Sequence, residues 1–259
     1  MARAFDFPAT VRLGRRSISH VTPRIAAVLY LTLAIAAAGL PQYPATLAWA
    51  APAAKSPGQA GAGSSTNPPA IDPADRDFWN GKFGGPQTLF NHQPSRFLVE
   101  VIRDRKPGAA LDLGMGEGRN ALYLAQQGWQ FTGVDESDVA IAQAKGHASK
   151  VGVKLDAAVD GLDQYDFGRN RWDLIILFYM HAWYHGAKPK SAEFIQAALK
   201  PGGWLVIEGF AGPENYQFQP NELLHDFGEM SILRYEDVQA EADWAPGRKS
   251  HIIRLVAEK

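Results

Sequence analysis

The feature that most constrains this sequence is a cluster of glycines between an apolar run and a helical pattern. The stretch LDLGMGEGRNALYLAQQG, residues 111–128, places Gly114, Gly116 and Gly118 at every second position. Glycine adopts backbone conformations that other residues resist, so the main chain can approach a ligand closely. A strand, a glycine turn and a helix N-terminus form a typical site for a nucleotide-like ligand at the carboxyl edge of a sheet. A tight turn alone also uses glycine, so a second element must support this interpretation.

Short apolar runs alternate with helical patterns from residue 72 to residue 259, and this alternation predicts the fold. Alternating buried strands and helices are typical of an α/β domain whose parallel sheet is covered on both faces. The last two runs, residues 231–240 and 251–257, are separated only by a turn, which indicates an antiparallel end. Strands are predicted at 109–113, 130–134, 153–159, 172–178 and 204–208, and helices at 120–127, 137–148 and 191–199.

The N-terminal third differs in composition from the rest of the chain. Residues 1–50 hold five arginines and one acid, with an uncharged apolar stretch at 25–40 and an A-x-A pattern at Ala48 and Ala50. This layout predicts a secretory signal peptide or a membrane anchor, with a buried helix as the alternative. Residues 51–71 are mainly Ala, Pro, Gly and Ser, which is typical of a linker. The folded domain is therefore expected at 72–259.

Charge and cysteine content exclude several classes of function. The chain has a formal net charge of -1 and no basic tract interleaved with aromatic residues, so a nucleic-acid partner is not expected. It contains no cysteine, which excludes disulfides, thiolate catalysis and cysteine-ligated zinc.

The residues around the glycines distinguish between two cofactor classes. Asp135 lies 21 residues after Gly114, at the end of the next predicted strand, where a carboxylate accepts ribose hydroxyls. A dinucleotide fingerprint requires a third glycine at the position of Arg119. Asp112 would repel a pyrophosphate but attract a cationic amino acid group. The electrostatics therefore favour S-adenosylmethionine, with its ammonium and sulfonium, over a nicotinamide dinucleotide.

These segments resemble a known family. LDLGMGEGRNALYLA and FTGVDES are similar to motifs I and II of the class I S-adenosylmethionine-dependent methyltransferases, particularly the branch with the tellurite-resistance and related small-molecule enzymes. The stretches FWNGKFGGPQTLFNHQPSRFL, LKPGGWLVIEGF and NELLHDFGEMSILRYEDV extend the resemblance over residues 76–259. It implies a three-layer, Rossmann-like α/β fold with a seven-stranded, mostly parallel sheet and an antiparallel last strand.

The resemblance also implies roles by position. Asp135 would bind the ribose and Glu136 would lie beside the adenine. Phe178 would lie along the cofactor, although a core position is equally open, and Asp160 could instead be a solvated loop residue. The full set of cofactor residues predicted is Asp112, Gly114, Gly116 and Gly118 at the methionine part, Asp135, Glu136, Asp160 and Gly161 at the nucleoside, and Phe178.

The stretch FYMHAWYH, residues 178–185, follows the fourth predicted strand, where this fold places its acceptor. Its Tyr179, His181, Trp183 and His185 would form an aromatic, partly basic wall of the acceptor pocket. His181 is the candidate base and Tyr179 the second candidate catalytic residue; a histidine hydrogen-bonded in a loop is the alternative for His181. His181 and His185 have the i, i+4 spacing of a metal pair, but no third ligand is evident, so no metal is expected. Trp79, Phe83 and Phe90 are predicted to close the site, with Phe210 and Tyr216 opposite; ordinary packing is the alternative for each.

The sequence therefore predicts methyl transfer from S-adenosylmethionine to a small-molecule acceptor. The alternatives are a nicotinamide-dependent oxidoreductase and a noncatalytic cofactor-binding module. Membrane contact is expected only through residues 25–40. The arginines before this stretch favour export or tethering of the domain, whereas the supply of the cofactor favours the cytoplasm.

Overall fold

Seven strands and seven helices make up the part of the chain that the computed structural model describes, residues 73–85, 91–187, 190–214, 216–243, 247 and 249–259. The helices are α1 (Pro73–Phe83), α2 (Arg96–Ile102), α3 (Arg119–Gln126), α4 (Asp138–Val151), α5 (His181–Gly186), α6 (Lys190–Ala198) and α7 (Glu222–Asp226). The strands are β1 (Ala109–Leu113), β2 (Gln130–Asp135), β3 (Asp156–Val159), β4 (Trp172–Phe178), β5 (Leu199–Phe210), β6 (Ser231–Glu241) and β7 (Lys249–Glu258).

All seven strands join one sheet in the order β3-β2-β1-β4-β5-β7-β6. The pairs from β3 through β5 are parallel, whereas β7 lies antiparallel to both β5 and β6. The predicted mostly parallel sheet with an antiparallel last strand is confirmed. The strand order reverses between β1 and β4, and ligands of open α/β sheets bind in the crevice beyond the carboxyl ends of strands at such a point.

The apolar strand β4 explains the three layers of the domain. Successive side chains of a strand point to opposite faces of its sheet. Ile175 and Leu177 therefore join a core that includes buried residues of α5, α6 and α7. Leu174 and Ile176 join a second core that includes residues of α2, α3 and α4. An uninterrupted apolar run is what a strand buried on both faces requires.

Two regions depart from the predicted boundaries by more than two residues. Helix α4 continues to Val151 and is capped by Gly152 at φ 72°, so the third strand begins at Asp156 rather than at residue 153. Pairing of β5 with β4 jumps from Leu199 to Trp204. The intervening Lys-Pro-Gly-Gly segment is accommodated as an irregularity in the strand, not as a clean break between helix and strand.

Some sequence predictions concern residues outside the described part. The signal peptide or anchor at 1–50, the linker at 51–71 and the lid residue Phe90 lie there and stay predictions. Among the helices that the structure describes, none has the length and apolar character needed to cross a membrane.

Candidate functional site

A cleft of about 1120 Å³, including its open mouth, lies beyond the carboxyl ends of β1, β2 and β4. Its glycine-loop side is lined by Asp112, Gly114, Met115, Gly116, Glu117, Arg119, Asn120, Asp135 and Glu136. Its other side is lined by Trp79, Phe83, Asn91, Leu162, Phe178, Tyr179, Met180, His181, Trp183 and Phe210. The cleft therefore has a charged side and a mainly aromatic side.

The backbone N–H groups of the glycine loop bind acceptors within the protein. The amides of Gly114 and Met115 donate to the Val134 carbonyl at 2.9 and 3.1 Å. The amide of Gly116 donates to Oδ2 of Asp135 at 2.8 Å. A loop that holds phosphate instead directs successive N–H groups at the anion. This loop thus cradles a ligand through its shape and does not offer these donors to a pyrophosphate.

Positive φ angles favour glycine at two of these positions, and side chains of the cleft crowd the space beside both. Gly114 has φ 74°, and a Cβ there would collide with the side chain of Met180. Gly116 has φ 54°, and a Cβ there would lie 3.2 Å from the ring of Phe83. The glycines let two walls of the cleft, the loop after β4 and helix α1, approach the main chain of the first loop.

Asp135 is fixed by two backbone donors at the end of β2. Its Oδ2 accepts from Gly116 and its Oδ1 accepts from the amide of Ser137 at 2.9 Å. A carboxylate has about four lone-pair positions, so two remain for a ligand hydroxyl pair. Burial raises the pKa of Asp135 from its ordinary value, and the two amide hydrogen bonds counteract only part of that rise.

Two further acids on this side have raised pKa values. Asp112 is 2% exposed, and burial together with the nearby Asp135 raises its pKa to about 8, against the opposing effect of Arg119. Burial, followed by the charge of Asp135, raises the pKa of Glu136 to about 7. A cationic ligand would favour the ionised form of these groups, since an opposite charge offsets burial.

Tyr179 follows β4 with φ 59°, an uncommon conformation for a residue with a Cβ. Its hydroxyl donates to Oε1 of Glu208 at 2.7 Å, and Glu208 is fully buried. The Nε of Arg254 donates to Oε2 of Glu208 at 2.6 Å. Burial and the adjacent carboxylate raise the pKa of Tyr179, so its phenol stays protonated and oriented by Glu208.

His181 is buried among aromatic rings at the start of α5. It is 2% exposed, and its ring lies 5.7 Å from that of Phe210 and stacks on Tyr216 at 6.2 Å between centroids. Its buried Nδ1 has no hydrogen-bond partner among the described residues. Burial, with the nearby His185, lowers the pKa of His181 to about 4, so the ring is neutral at physiological pH.

The second histidine of the predicted pair faces another partner. The Nδ1 of His185 donates to the carbonyl of His181 at 2.8 Å, and its Nε2 lies 2.9 Å from Oε1 of Glu222. His185 does not line the cleft. Within the described ranges, no group of three or more histidine or acidic side chains has the arrangement of a metal site.

Helix α1 closes one wall of the cleft and is held by side-chain hydrogen bonds. The Oδ1 of Asn80 accepts from Oγ of Ser137 at 2.7 Å, and its Nδ2 donates to Asp138 at 2.8 Å. The Nε2 of Gln143 donates to the carbonyl of Phe83 at 3.0 Å. These contacts place Trp79 and Phe83 of α1 over the glycine loop.

The structure brings most of the predicted site residues together. Those that line the cleft are Asp112, Gly114, Gly116, Asp135, Glu136, Phe178, Tyr179 and His181, with Trp79, Phe83, Trp183 and Phe210. Gly118, Asp160, Gly161 and Tyr216 lie outside the lining. Gly118 caps α3 at φ 80°, where a Cβ would lie 3.0 Å from Cβ of Ala144. Asp160 lies at the same sheet edge, since its amide donates to the Asp135 carbonyl at 3.1 Å.

Sequence reasoning missed several lining residues. Met180 stands within FYMHAWYH, yet nothing in the pattern separates it from a core residue. Arg119 was noted only as the residue in place of a glycine. Asn91 and Leu162 are brought to the cleft by loops whose sequences carry no recognisable signal.

Comparison with known proteins identifies the domain. Residues 110–203, from β1 into β5, match the family described as "Methyltransferase domain". This segment of the chain thus matches a methyltransferase domain. The methyltransferase domain is similar to the probable S-adenosyl-L-methionine-dependent methyltransferase TehB of Haemophilus influenzae, at 24% identity over 153 residues, 56% of this chain and 53% of that protein.

Solved structures show the same fold. TehB of Haemophilus influenzae superposes with a TM-score of 0.54 at 20% identity, covering 71% of this chain and 66% of that chain. The 1,6-didemethyltoxoflavin-N1-methyltransferase of Burkholderia thailandensis, crystallised with 1,6-didemethyltoxoflavin and S-adenosylhomocysteine, gives 0.58 at 19% identity, covering 74% and 92%. The resemblance to class I S-adenosylmethionine-dependent methyltransferases similar to TehB is confirmed.

One matching relative is not named as a methyltransferase. Hemagglutinin 1 of Eikenella corrodens is 26% identical over 175 residues, 62% of this chain and 54% of that protein. The chain thus spans about half the length of the curated relatives it matches first.

Proposed function

We propose that the protein transfers a methyl group from S-adenosylmethionine to a small-molecule acceptor. The observation that carries this proposal is the glycine loop, whose N–H groups bind protein acceptors while buried acids surround it. A ligand with a pyrophosphate would meet these acids and find those donors occupied. A ligand with an ammonium, a sulfonium and a ribose fits the same groups.

Three acids of the glycine-loop side each have a partner group in S-adenosylmethionine. Asp135 has lone pairs left for the ribose hydroxyls, and Glu136 stands next to it where an adenine would lie. Asp112 lies on the same side of the cleft as the glycines, where it would pair with the ammonium. When bound, S-adenosylmethionine supplies a methyl group already activated by a positively charged sulfur.

The residues of the aromatic side would orient the acceptor and exclude water. Methyl transfer is an in-line displacement, so the protein contributes mainly by aligning the reacting groups in a dry site. Trp79 and Phe83 close the cleft from α1. A protic acceptor must also lose a proton, and neutral His181 is the group placed to receive it. Tyr179, held by Glu208, would position the acceptor rather than take that proton.

A small-molecule acceptor is supported by the site and by a structural neighbour. The Burkholderia thailandensis enzyme of the same fold is named for methylation of 1,6-didemethyltoxoflavin. Aromatic walls with a few polar groups, as on the mainly aromatic side of this cleft, are typical of small-molecule sites.

Calorimetry with the full chain tests the proposal. S-adenosylmethionine, S-adenosylhomocysteine and NADH are titrated into the wild type, Asp112→Asn and the control Asp156→Asn, an exposed acid at the start of β3. We expect the first two ligands to bind the wild type and the control, and Asp112→Asn to bind S-adenosylmethionine about tenfold or more weakly. Tighter binding of NADH would overturn the proposal in favour of a nicotinamide-dependent enzyme.

Turnover separates the enzyme from a noncatalytic module. Release of S-adenosylhomocysteine is followed with a broad acceptor panel. Binding of the cofactor without turnover of any acceptor would favour the module.

A further inference from the structure

The charges of the cleft are distributed unevenly. Asp112, Asp135, Glu136 and Glu117 line the glycine-loop side, and Arg119 is the one cation among the described lining residues. Arg119 donates from Nη1 to the Gln93 carbonyl at 3.1 Å, and Tyr179, Asp243, Glu208 and Asp112 act on it electrostatically, in decreasing order. Among the described lining residues, acids thus outnumber cations four to one, which disfavours an anionic acceptor.

The acceptor side, by contrast, is built from rings and a thioether. Its rings and thioether include those of Trp79, Tyr179, Met180, His181, Trp183 and Phe210, and Asn91 adds a side-chain amide on the same side of the cleft. The polar atoms of two of these residues already have partners, because the Tyr179 hydroxyl donates to Glu208 and Nε1 of Trp183 donates to Asp163 at 2.8 Å. These two residues thus contribute mainly their apolar faces to the cleft.

His181 supplies a polar group with an unfilled hydrogen bond. Its Nδ1 is buried without a partner in the described part of the chain, while its ring stacks on Tyr216 and meets Phe210 edge-on. Buried polar groups in folded proteins are nearly always paired, so such a group in a cleft points to a ligand that completes it. A neutral imidazole pairs with an O–H or N–H group without requiring a charge.

We propose that the acceptor side binds an uncharged, planar aromatic molecule with one hydroxyl or N–H group, and that it discriminates against oxyanions and carboxylates. This inference rests on the proposed function, in which S-adenosylmethionine occupies the glycine-loop side of the cleft. Flat rings stack on the aromatic walls. The excess of acids over cations in the cleft disfavours an acceptor that carries a negative charge. The inference therefore narrows the proposed acceptors from small molecules in general to uncharged aromatic molecules with a hydrogen-bond donor.

Ligand-observed NMR with the full chain tests the inference at neutral pH. S-adenosylhomocysteine binding is first measured by calorimetry, and the saturated protein then receives 2-naphthol, 2-naphthoate, 2-fluoronaphthalene or selenite. We expect 2-naphthol to bind about tenfold or more tightly than 2-naphthoate, with no binding of selenite. Phe210→Ala should weaken 2-naphthol binding about fivefold, whereas the control Phe194→Ala, an exposed ring outside the cleft, should not.

A separate pair of ligands tests the hydrogen bond to His181. 2-Naphthol should bind more tightly than 2-fluoronaphthalene, which lacks a donor, and His181→Phe should abolish that difference. Binding of 2-naphthoate or selenite as tight as that of 2-naphthol would overturn the inference, as would no binding of 2-naphthol to the saturated protein. If S-adenosylhomocysteine itself does not bind, the proposed function fails, and the same affinity ratios on the free protein decide the inference separately.

Discussion

Asp112 links the charge of a bound ligand to protonation at the residue scale. Its pKa of about 8 means that the ligand-free carboxyl is largely protonated at neutral pH, whereas a cation favours the carboxylate. Binding of S-adenosylmethionine should therefore release protons below pH 8. Its affinity should rise as pH increases from 6 towards 8.

Calorimetry in buffers of different ionisation enthalpy measures this proton release. Asp112→Asn should reduce it, although Asp135 and Glu136, whose pKa values are also raised, would retain part. An affinity that falls as pH rises from 6 to 8 would contradict a cationic ligand beside Asp112.

His181 gives a second prediction at this scale. His181→Phe should lower kcat for a protic acceptor by about 100-fold or more, since a positioned proton acceptor contributes at least that much. Binding of S-adenosylhomocysteine should change little. Because the pKa of His181 is about 4, its protonation should not reduce the wild-type rate between pH 5 and 8. Steady-state kinetics over that range check both statements, and an unchanged kcat in the variant would remove His181 from the reaction.

At the scale of elements, two glycines of neighbouring helices provide a matched pair. Gly118 caps α3 at φ 80°, and a Cβ there would lie 3.0 Å from Cβ of Ala144. Gly118→Ala should thus destabilise the domain by roughly 1–3 kcal/mol, from backbone strain and crowding. Gly146 lies within α4 with no atom near its added Cβ, so Gly146→Ala should stabilise by about 0.5–1 kcal/mol. Urea denaturation measures both, and equal effects would show that Gly118 is not constrained by its conformation.

Helix α1 should act as a retaining wall for the ligand. Asn80→Ala removes the hydrogen bonds to Ser137 and Asp138 that hold α1 against the start of α4. With each bond contributing about 0.5–1.5 kcal/mol, the dissociation rate of S-adenosylhomocysteine should rise roughly tenfold. The control Asp77→Ala changes an exposed residue of the same helix. Stopped-flow displacement measures the rates, and equal rates in both variants would mean that α1 does not retain the ligand.

Local patterns in the sequence were sufficient to predict those elements whose apolar residues form an uninterrupted run. The apolar run of β4 was predicted with its observed bounds, because both faces of that strand are buried. The third strand was predicted to begin three residues early, since Val153 and Leu155 are apolar but follow the α4 cap without joining the sheet. The contacts of α1 with α4 and of Tyr179 with Glu208 could not be predicted, because they join residues far apart in the sequence.

At the scale of the whole molecule, a chain of hydrogen-bonded side chains connects the cleft with the antiparallel end of the sheet. Tyr179 binds Glu208 on β5, and Glu208 binds Arg254 on β7. Arg254 in turn donates from Nη1 to Glu236 on β6 at 3.1 Å. The antiparallel strands thus do more than complete the core, since they supply the cation that keeps a carboxylate buried behind the acceptor side.

Removing that cation should affect both stability and the site. Arg254→Met leaves the fully buried Glu208 without its charge partner, which should destabilise the domain by about 3–5 kcal/mol. Adding Glu208→Gln removes the unpaired charge while keeping an acceptor for the Tyr179 hydroxyl, so the double variant should recover a large part of that loss. Urea denaturation of the two single variants and the double variant gives the coupling energy. If the losses of unfolding free energy in the two single variants simply add in the double variant, Arg254 does not hold Glu208 in place. The orientation of Tyr179 must then come from its backbone alone.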